Sequence, residues 1–288
     1  MPALLWDDHP QLSRPVLLAA FEGWNDAAEA ASGAVDWLRH RWGGRRFAHL
    51  DPEEYFDFQA VRPQVVLVDG ETRELRWPAN ECFAATVGGG KRDAVLLSGV
   101  EPSYRWREFC SDVVGMVHET GCEMVVTLGA LLADVPHTRP LRITGTAVDA
   151  DLARRLGLER SRYEGPTGIV GVLHDACRAA GIASVSLWVP VPHYVANPPN
   201  PVATLALLDA VGRLLDAPTD AEELRSAAES WRVEVDRAVA DDDETSEYVA
   251  DLERRYDDEI PESDLPSGDE LAAQIEQFLR EESPDDGD

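Results

Sequence analysis

Val16-Leu17-Leu18-Ala19-Ala20-Phe21 is an unbroken apolar run, too short for an ordinary helix. Strand residues alternate between two faces, so a strand with this run must be covered on both. Runs of the same character recur at 94–99, 124–129 and 184–189. Helical patterns lie between them. Ala27, Ala30, Ala31, Ala34, Val35 and Leu38 share one face behind a cap at Asn25 or Asp26. A second helix is expected over 103–120. Gly165-Pro166-Thr167-Gly168 opens a third, running to Ala180. Asn200-Pro201 starts a fourth, with proline at the first helical position and an end near Leu215. Strands alternating with helices in this way predict an α/β fold with a mostly parallel sheet. The polar and aromatic segment 45–87 is expected to add antiparallel strands at one edge.

The pattern changes past Pro218. Of the 54 acidic residues in the chain, 26 lie beyond Asp216, with only six of the 26 Lys and Arg. Thr219-Asp220-Ala221-Glu222 and Ser267-Gly268-Asp269-Glu270 read as capping boxes. Trp231, Val235, Leu252, Tyr256, Ile275, Phe278 and Leu279 recur at helical spacing. The expected organisation is a core over 1–217, an acidic helical appendage over 218–282 and a disordered tail over 283–288. Attraction between appendage and core is expected from the apolar stripes alone. Like charges would oppose it, so added salt should tighten the contact.

The formal net charge of −28 repels phosphate backbones, and no nucleic-acid partner is expected. No run approaches the roughly 20 apolar residues of a membrane helix. The first residues lack the basic flank and apolar run of a signal peptide. Cys82, Cys110, Cys122 and Cys177 are widely spaced and form no CxxC pair. They read as reduced core filler in a cytoplasmic protein.

Ligands of parallel sheets bind outside the carboxyl ends of the strands, so the residues just past each strand form the candidate set. The first strand delivers Glu22, Trp24, Asn25 and Asp26, and the second Glu101, Tyr104 and Arg105. Asp134, His137 and Arg139 come after the third, and His193 and Tyr194 after the fourth. The glycine-rich loop adds Glu164 and Thr167. An anionic metabolite on this rim would take the amides after Gly165 and the guanidinium of Arg105 or Arg139. His137 has no evident serine or cysteine nucleophile to activate. GxSxG, GxxxxGK[ST] and HExxH are absent. Gly88-Gly89-Gly90-Lys91 precedes a strand with no hydroxyl after the lysine, and reads as a connecting loop. No catalytic residue, cofactor or metal is assigned.

Several strings carry a resemblance: Phe21-Glu22-Gly23-Trp24-Asn25-Asp26-Ala27, Asp51-Pro52-Glu53-Glu54-Tyr55-Phe56-Asp57-Phe58 and Arg62-Pro63. Gly99-Val100-Glu101-Pro102, Asp134-Val135-Pro136-His137-Thr138-Arg139-Pro140 and Tyr163-Glu164-Gly165-Pro166-Thr167-Gly168 complete it. In this order they resemble the prokaryotic, actinobacterial-type branch of the proteasome assembly chaperone 2 family. The resemblance implies a three-layer α/β/α sandwich similar to phosphorylase/hydrolase-like folds, self-association as a dimer or trimer, and no established catalytic residues. It implies a protein that holds a partner during assembly, proteasome-related by analogy. Chaperones of this kind dock through a C-terminal hydrophobic-Tyr-X tail, and Asp286-Gly287-Asp288 provides none. The alternative is a small-ligand binder or enzyme related to nucleoside phosphorylases, using Glu101, His137 and His193. Tyr55, Phe56 and Phe58 are expected to be exposed and to anchor the self-association.

Overall fold

The computed structural model describes residues 3–89, 91–147, 154 and 164–258. The chain opens with β1 (Leu4–Trp6), β2 (Val16–Glu22), α1 (Ala30–Arg41), β3 (Arg45–Leu50) and the short α2 (Pro52–Tyr55). Next come β4 (Gln64–Val68), β5 (Thr72–Arg76), β6 (Asn80–Ala85), β7 (Ala94–Val100) and α3 (Trp106–Thr120). After them are β8 (Met124–Ala133), β9 (Thr144–Ala147), α4 (Ile169–Ala179), β10 (Ser184–Pro192) and α5 (Pro201–Leu215). Two acidic helices are the last of the described elements, α6 (Glu222–Ala240) and α7 (Asp243–Asp258).

Alternation along β2 sets the layers. Val16, Leu18 and Ala20 enter the core beneath α1 and α5. Leu17, Ala19 and Phe21 enter the opposite core beneath α3 and α4. The result is an α/β/α sandwich around one eight-stranded sheet, ordered β1-β3-β6-β7-β2-β8-β10-β9. Its centre, β7-β2-β8-β10, is parallel. Both flanks are antiparallel, so the sheet is mixed around a parallel middle. Segment 45–87 adds β3 and β6 at one edge, and β4 and β5 form a separate hairpin. Gly88 and Gly89 lie in the connection between the antiparallel β6 and β7.

Two expected caps differ in outcome. Asn200 Oδ1 accepts from Ala203 N at 3.0 Å, with Pro201 opening α5. The Thr219 capping box does not form, because Ala221 takes the cap position without a side-chain bond. The connector is held on α1 instead. Trp42 Nε1 donates to Pro218 O at 2.9 Å and Trp37 Nε1 to Thr219 O at 3.0 Å. Arg41 donates to Asp220 O.

Helix α6 packs on α5 and α7 packs on α6. Ala228, Val235, Val239, Val249 and Leu252 are buried, and Trp231, Tyr194 and Val195 pack against the cluster of Val235, Val239 and Val249. A fully buried valine or leucine contributes roughly 1.5–3 kcal/mol. Attraction is not from apolar stripes alone, however. Arg139 pairs with Glu253 and Asp257, Arg225 with Asp209, and Arg41 with Glu223. The second capping box, the stripe over Ile275, Phe278 and Leu279, and the tail at 283–288 lie outside the described residues.

Tyr55 and Phe56 are buried, contrary to the expectation of an exposed aromatic cluster. Tyr55 Oη donates to Asp112 at 2.6 Å, and its carbonyl accepts from Ser103 N and Tyr104 N. The four cysteines are free thiols. Burial pushes Cys82 and Cys110 up to about 12, and Cys122 and Cys177 up to about 11.

Candidate functional site

Glu22-Gly23-Trp24-Asn25-Asp26 leaves β2 at its carboxyl end and is pinned at once. Asn25 O accepts from Ala130 N at 2.8 Å, extending the sheet by one bridge. Asn25 Nδ2 donates to Glu101 Oε1 at 2.7 Å, and the same oxygen accepts from Ile169 N at 2.8 Å. Gly168 sits inside this knot. A Cβ there would overlap the Asn25 amide and come within 2.5 Å of Glu101 Oε1. Glu101 thus fills the N-terminus of α4, where the sequence suggested amides available to an external anion.

Asp26, rather than Asn25, caps the following helix. Its Oδ1 accepts from Ala31 N at 2.7 Å and Ser32 N at 3.2 Å. Burial raises the Asp26 pKa above its ordinary value. Desolvation also raises Glu22, with Asp26, Asp36 and Glu29 adding to it. Ala28 and Glu29 both take positive φ, 53° and 54°. Two consecutive left-handed residues cost about 1–2 kcal/mol each, so the turn is held by its surroundings.

Trp24 and Thr167 line a cavity of about 780 Å³ beside this turn. Its other walls come from Leu131 and Leu132 of β8, Thr144 and Thr146 of β9, His174 of α4, and Ser186 and Trp188 of β10. Trp188 Nε1 donates to Ser186 Oγ at 2.9 Å. The indole packs on Gly129, where a Cβ would approach within 2.6 Å of Cε3. His174 Nδ1 meets Ser184 Oγ at 3.0 Å, and burial lowers its pKa. Sequence reasoning missed Trp188 and His174. The usable signal was Gly129, because a glycine inside an apolar strand marks close approach by a neighbour.

Asp134, His137, Arg139 and His193 gather elsewhere, under α6 and α7. His137 is buried, and its backbone N–H donates to Tyr194 Oη at 2.8 Å. That hydroxyl in turn donates to His137 Nδ1 at 2.7 Å, which leaves Nε2–H to reach Asp236 Oδ1 at 3.1 Å. Burial pushes Tyr194 up to about 12. His193 Nδ1 lies 3.2 Å from Asp134, and its ring meets Tyr248 edge-on. Arg139 forks onto Asp257 at 2.9 and 2.7 Å and reaches Glu253 at 3.1 Å. Asp257 is thereby held below the usual carboxylate range, chiefly by its hydrogen bonds from Arg139. Arg105 stands apart, paired with Glu54 and Glu108. Glu164 is exposed at the loop start. The rim is therefore divided: one part encloses a cavity, and the other holds the chain's own helices.

A mixed sheet between two helical layers, with its strand ends partly covered by its own acidic helices, defines the class as an α/β/α sandwich. The PAC2 family model matches residues 20–239, and the chain belongs to the PAC2 family. A PAC2 family protein from Streptomyces avermitilis is 52% identical, with a TM-score of 0.77 over 82% of this chain and 99% of that one. A proteasome-assembly chaperone homologue from Mycobacterium tuberculosis is 48% identical, with a TM-score of 0.74 over 81% and 99%. A proteasome activator from Pyrococcus furiosus shares the fold at 19% identity, with a TM-score of 0.66 over 82% and 98%. No curated protein matches. Among the described residues no helix is long and apolar enough to cross a membrane.

Proposed function

We propose that this chain is an assembly-chaperone-like protein that self-associates as a dimer or trimer and holds a partner protein, in the first instance a proteasome subunit. One observation carries the reading. On the β4–β5 hairpin Val65 lies opposite Leu75, Leu67 follows on the same face opposite Arg73, and Trp77 comes directly after the end of β5. These four side chains are 60, 60, 58 and 48% exposed. Exposed apolar side chains gathered on one hairpin, beside Arg73, on a chain of net charge −28 suit a protein interface and are disfavoured in water. Phe58 packs edge-on against Trp77, which stiffens the base of the hairpin. The partner's chemistry comes from the Mycobacterium relative, whose name makes it a proteasome-assembly chaperone homologue.

The test is reconstitution with purified proteasome α and β subunits, reading half-proteasome formation by native gel. The full chain should accelerate assembly. Leu67→Asp with Leu75→Asp should abolish the effect at an unchanged melting temperature. Light scattering should return a multiple of 31.7 kDa. A monomer at micromolar concentration would remove the self-association, and unaltered assembly would remove the chaperone reading.

A further inference from the structure

We propose that the strand-end cavity between Trp24 and Trp188 binds an uncharged, flat aromatic molecule with hydrogen-bonding edges. The cavity lies at the carboxyl ends of β2 and β8, where parallel strands leave a crevice, and extends over the first half of β10 and its partner β9. Its volume of about 780 Å³ falls within the roughly 300–1,000 Å³ of small-molecule sites.

The walls specify the ligand's chemistry. Trp188 is fixed from two sides, by the bond to Ser186 Oγ and by the bare backbone of Gly129 under its ring. Such an indole is a ready stacking surface, with its orientation set before any ligand arrives. Trp24 is 64% exposed at the cavity's edge, and no described ring stacks on it. Covering its indole removes a large apolar area from water. Hydroxyls of Thr144, Thr146 and Thr167 supply donors and acceptors around these rings. The hydroxyl of Thr167 has room only because residue 171 is glycine, where a Cβ would overlap it.

Charge decides between ligands of the same shape. No Asp, Glu, Lys or Arg is among the described residues lining the cavity. His174, a titratable ring in the wall, is held toward its neutral form by burial. Phosphate or carboxylate groups would find no cation among the described lining residues and would enter against a net charge of −28. A cationic ligand would lack a carboxylate partner among the described lining residues. The uncharged aromatic is the occupant these walls satisfy. The cavity shares no residue with the hairpin face, so this site and the chaperone reading stand or fall separately.

Equilibrium dialysis of the full chain tests the proposal with two uncharged probes, adenosine and riboflavin. Their phosphorylated counterparts, AMP and flavin mononucleotide, serve as comparison. At least one uncharged probe should be retained below about 1 mM, with its phosphorylated counterpart about tenfold weaker. Trp24→Ala should weaken the retained probe by about fivefold to tenfold at an unchanged melting temperature, the loss expected for one stacking contact. Leu132→Arg, at an exposed wall position, should narrow the gap or invert it in favour of the phosphorylated form. Retention of neither uncharged probe would overturn the proposal. Equal or tighter binding of the phosphorylated forms to the unaltered chain, or indifference to Trp24→Ala, would also overturn it.

Discussion

The two halves of the strand-end rim begin from the same sheet and reach opposite outcomes. Around Trp24 and Trp188 the described walls are uncharged and no described element fills the space between them. Around His137 every strong polar group is matched within the chain, by Tyr194, Asp236, Glu253 or Asp257. A histidine, carboxylates and an arginine near strand ends look like chemistry in a sequence. Here they are the contacts that hold two acidic helices on the core. The half with less charge is the one left open.

The comparison breaks most visibly at Gly168, which serves the cavity side. Gly168→Val should destabilise the protein by about 3 kcal/mol, since the new atoms collide with Asn25 and Glu101. Thermal unfolding should fall by roughly 6–10 °C. A change of under 2 °C would mean that the Asn25–Glu101 knot is not held as described.

On the other side His137→Ala should act locally. It leaves the Tyr194 O–H without its acceptor while the backbone N–H of residue 137 still bonds that oxygen and the exposed Asp236 turns to water, a cost of about 1–3 kcal/mol. Trypsin should then cut after Arg232 and Arg237 about tenfold faster, while the main unfolding transition moves little. Uniform loosening of the whole molecule would show that α6 and α7 are not separable from the sandwich.

Opposite responses to pH sharpen the contrast. Burial raises Asp26, so the folded state binds its proton more tightly than the unfolded chain. That contribution is complete at low pH and is lost as pH rises through the raised pKa. Asp257 is lowered by Arg139, so its contribution is present above the ordinary carboxylate pKa and is lost as pH falls through the lowered one. The melting temperature of Asp26→Asn relative to wild type should therefore climb between about pH 4 and pH 7. Asp257→Asn should be destabilising at about pH 7 and approach wild type only as pH falls below the ordinary aspartate pKa of about 4. Parallel profiles for the two variants would contradict the assignment.

Salt should have the smallest effect. Screening weakens the pairs of Arg139, Arg225 and Arg41 together with the like-charge repulsion. Cleavage after Arg232 should change by less than about twofold between 0.05 and 0.5 M NaCl. A large tightening would restore repulsion as the dominant force, and a large loosening would give that role to the ion pairs.

Legibility tracked periodicity. The run at Val16–Phe21 has no polar position, and both faces of β2 are buried accordingly. The cap at Asn200 needs only neighbouring residues, so it could be read locally. The Thr219 box also satisfied a local pattern, but Trp37 and Trp42 reach its carbonyls from a helix some 180 positions earlier. Burial of Tyr55 and Phe56 was hidden for the same reason, because Asp112 and Phe109 of α3 cover Tyr55. The eleven rim candidates were placed near strand ends by topology alone. Which of them face a cavity and which grip α6 and α7 depends on contacts more than 50 residues apart, which no window of sequence contains.

The seat of Trp188 on Gly129 also bears on how the sheet chooses its alignment. Strands β8 and β10 pair along nine positions, nearly all apolar, and a uniformly apolar ladder discriminates poorly between alignments. Gly129 is the one position in β8 without a side chain. Sliding β10 by two residues would keep every side chain on its own face, yet it would bring the indole against Thr127 or Leu131. The misaligned pairing thus meets a collision that the native one avoids. One glycine and one tryptophan proof-read the strand order's longest parallel seam.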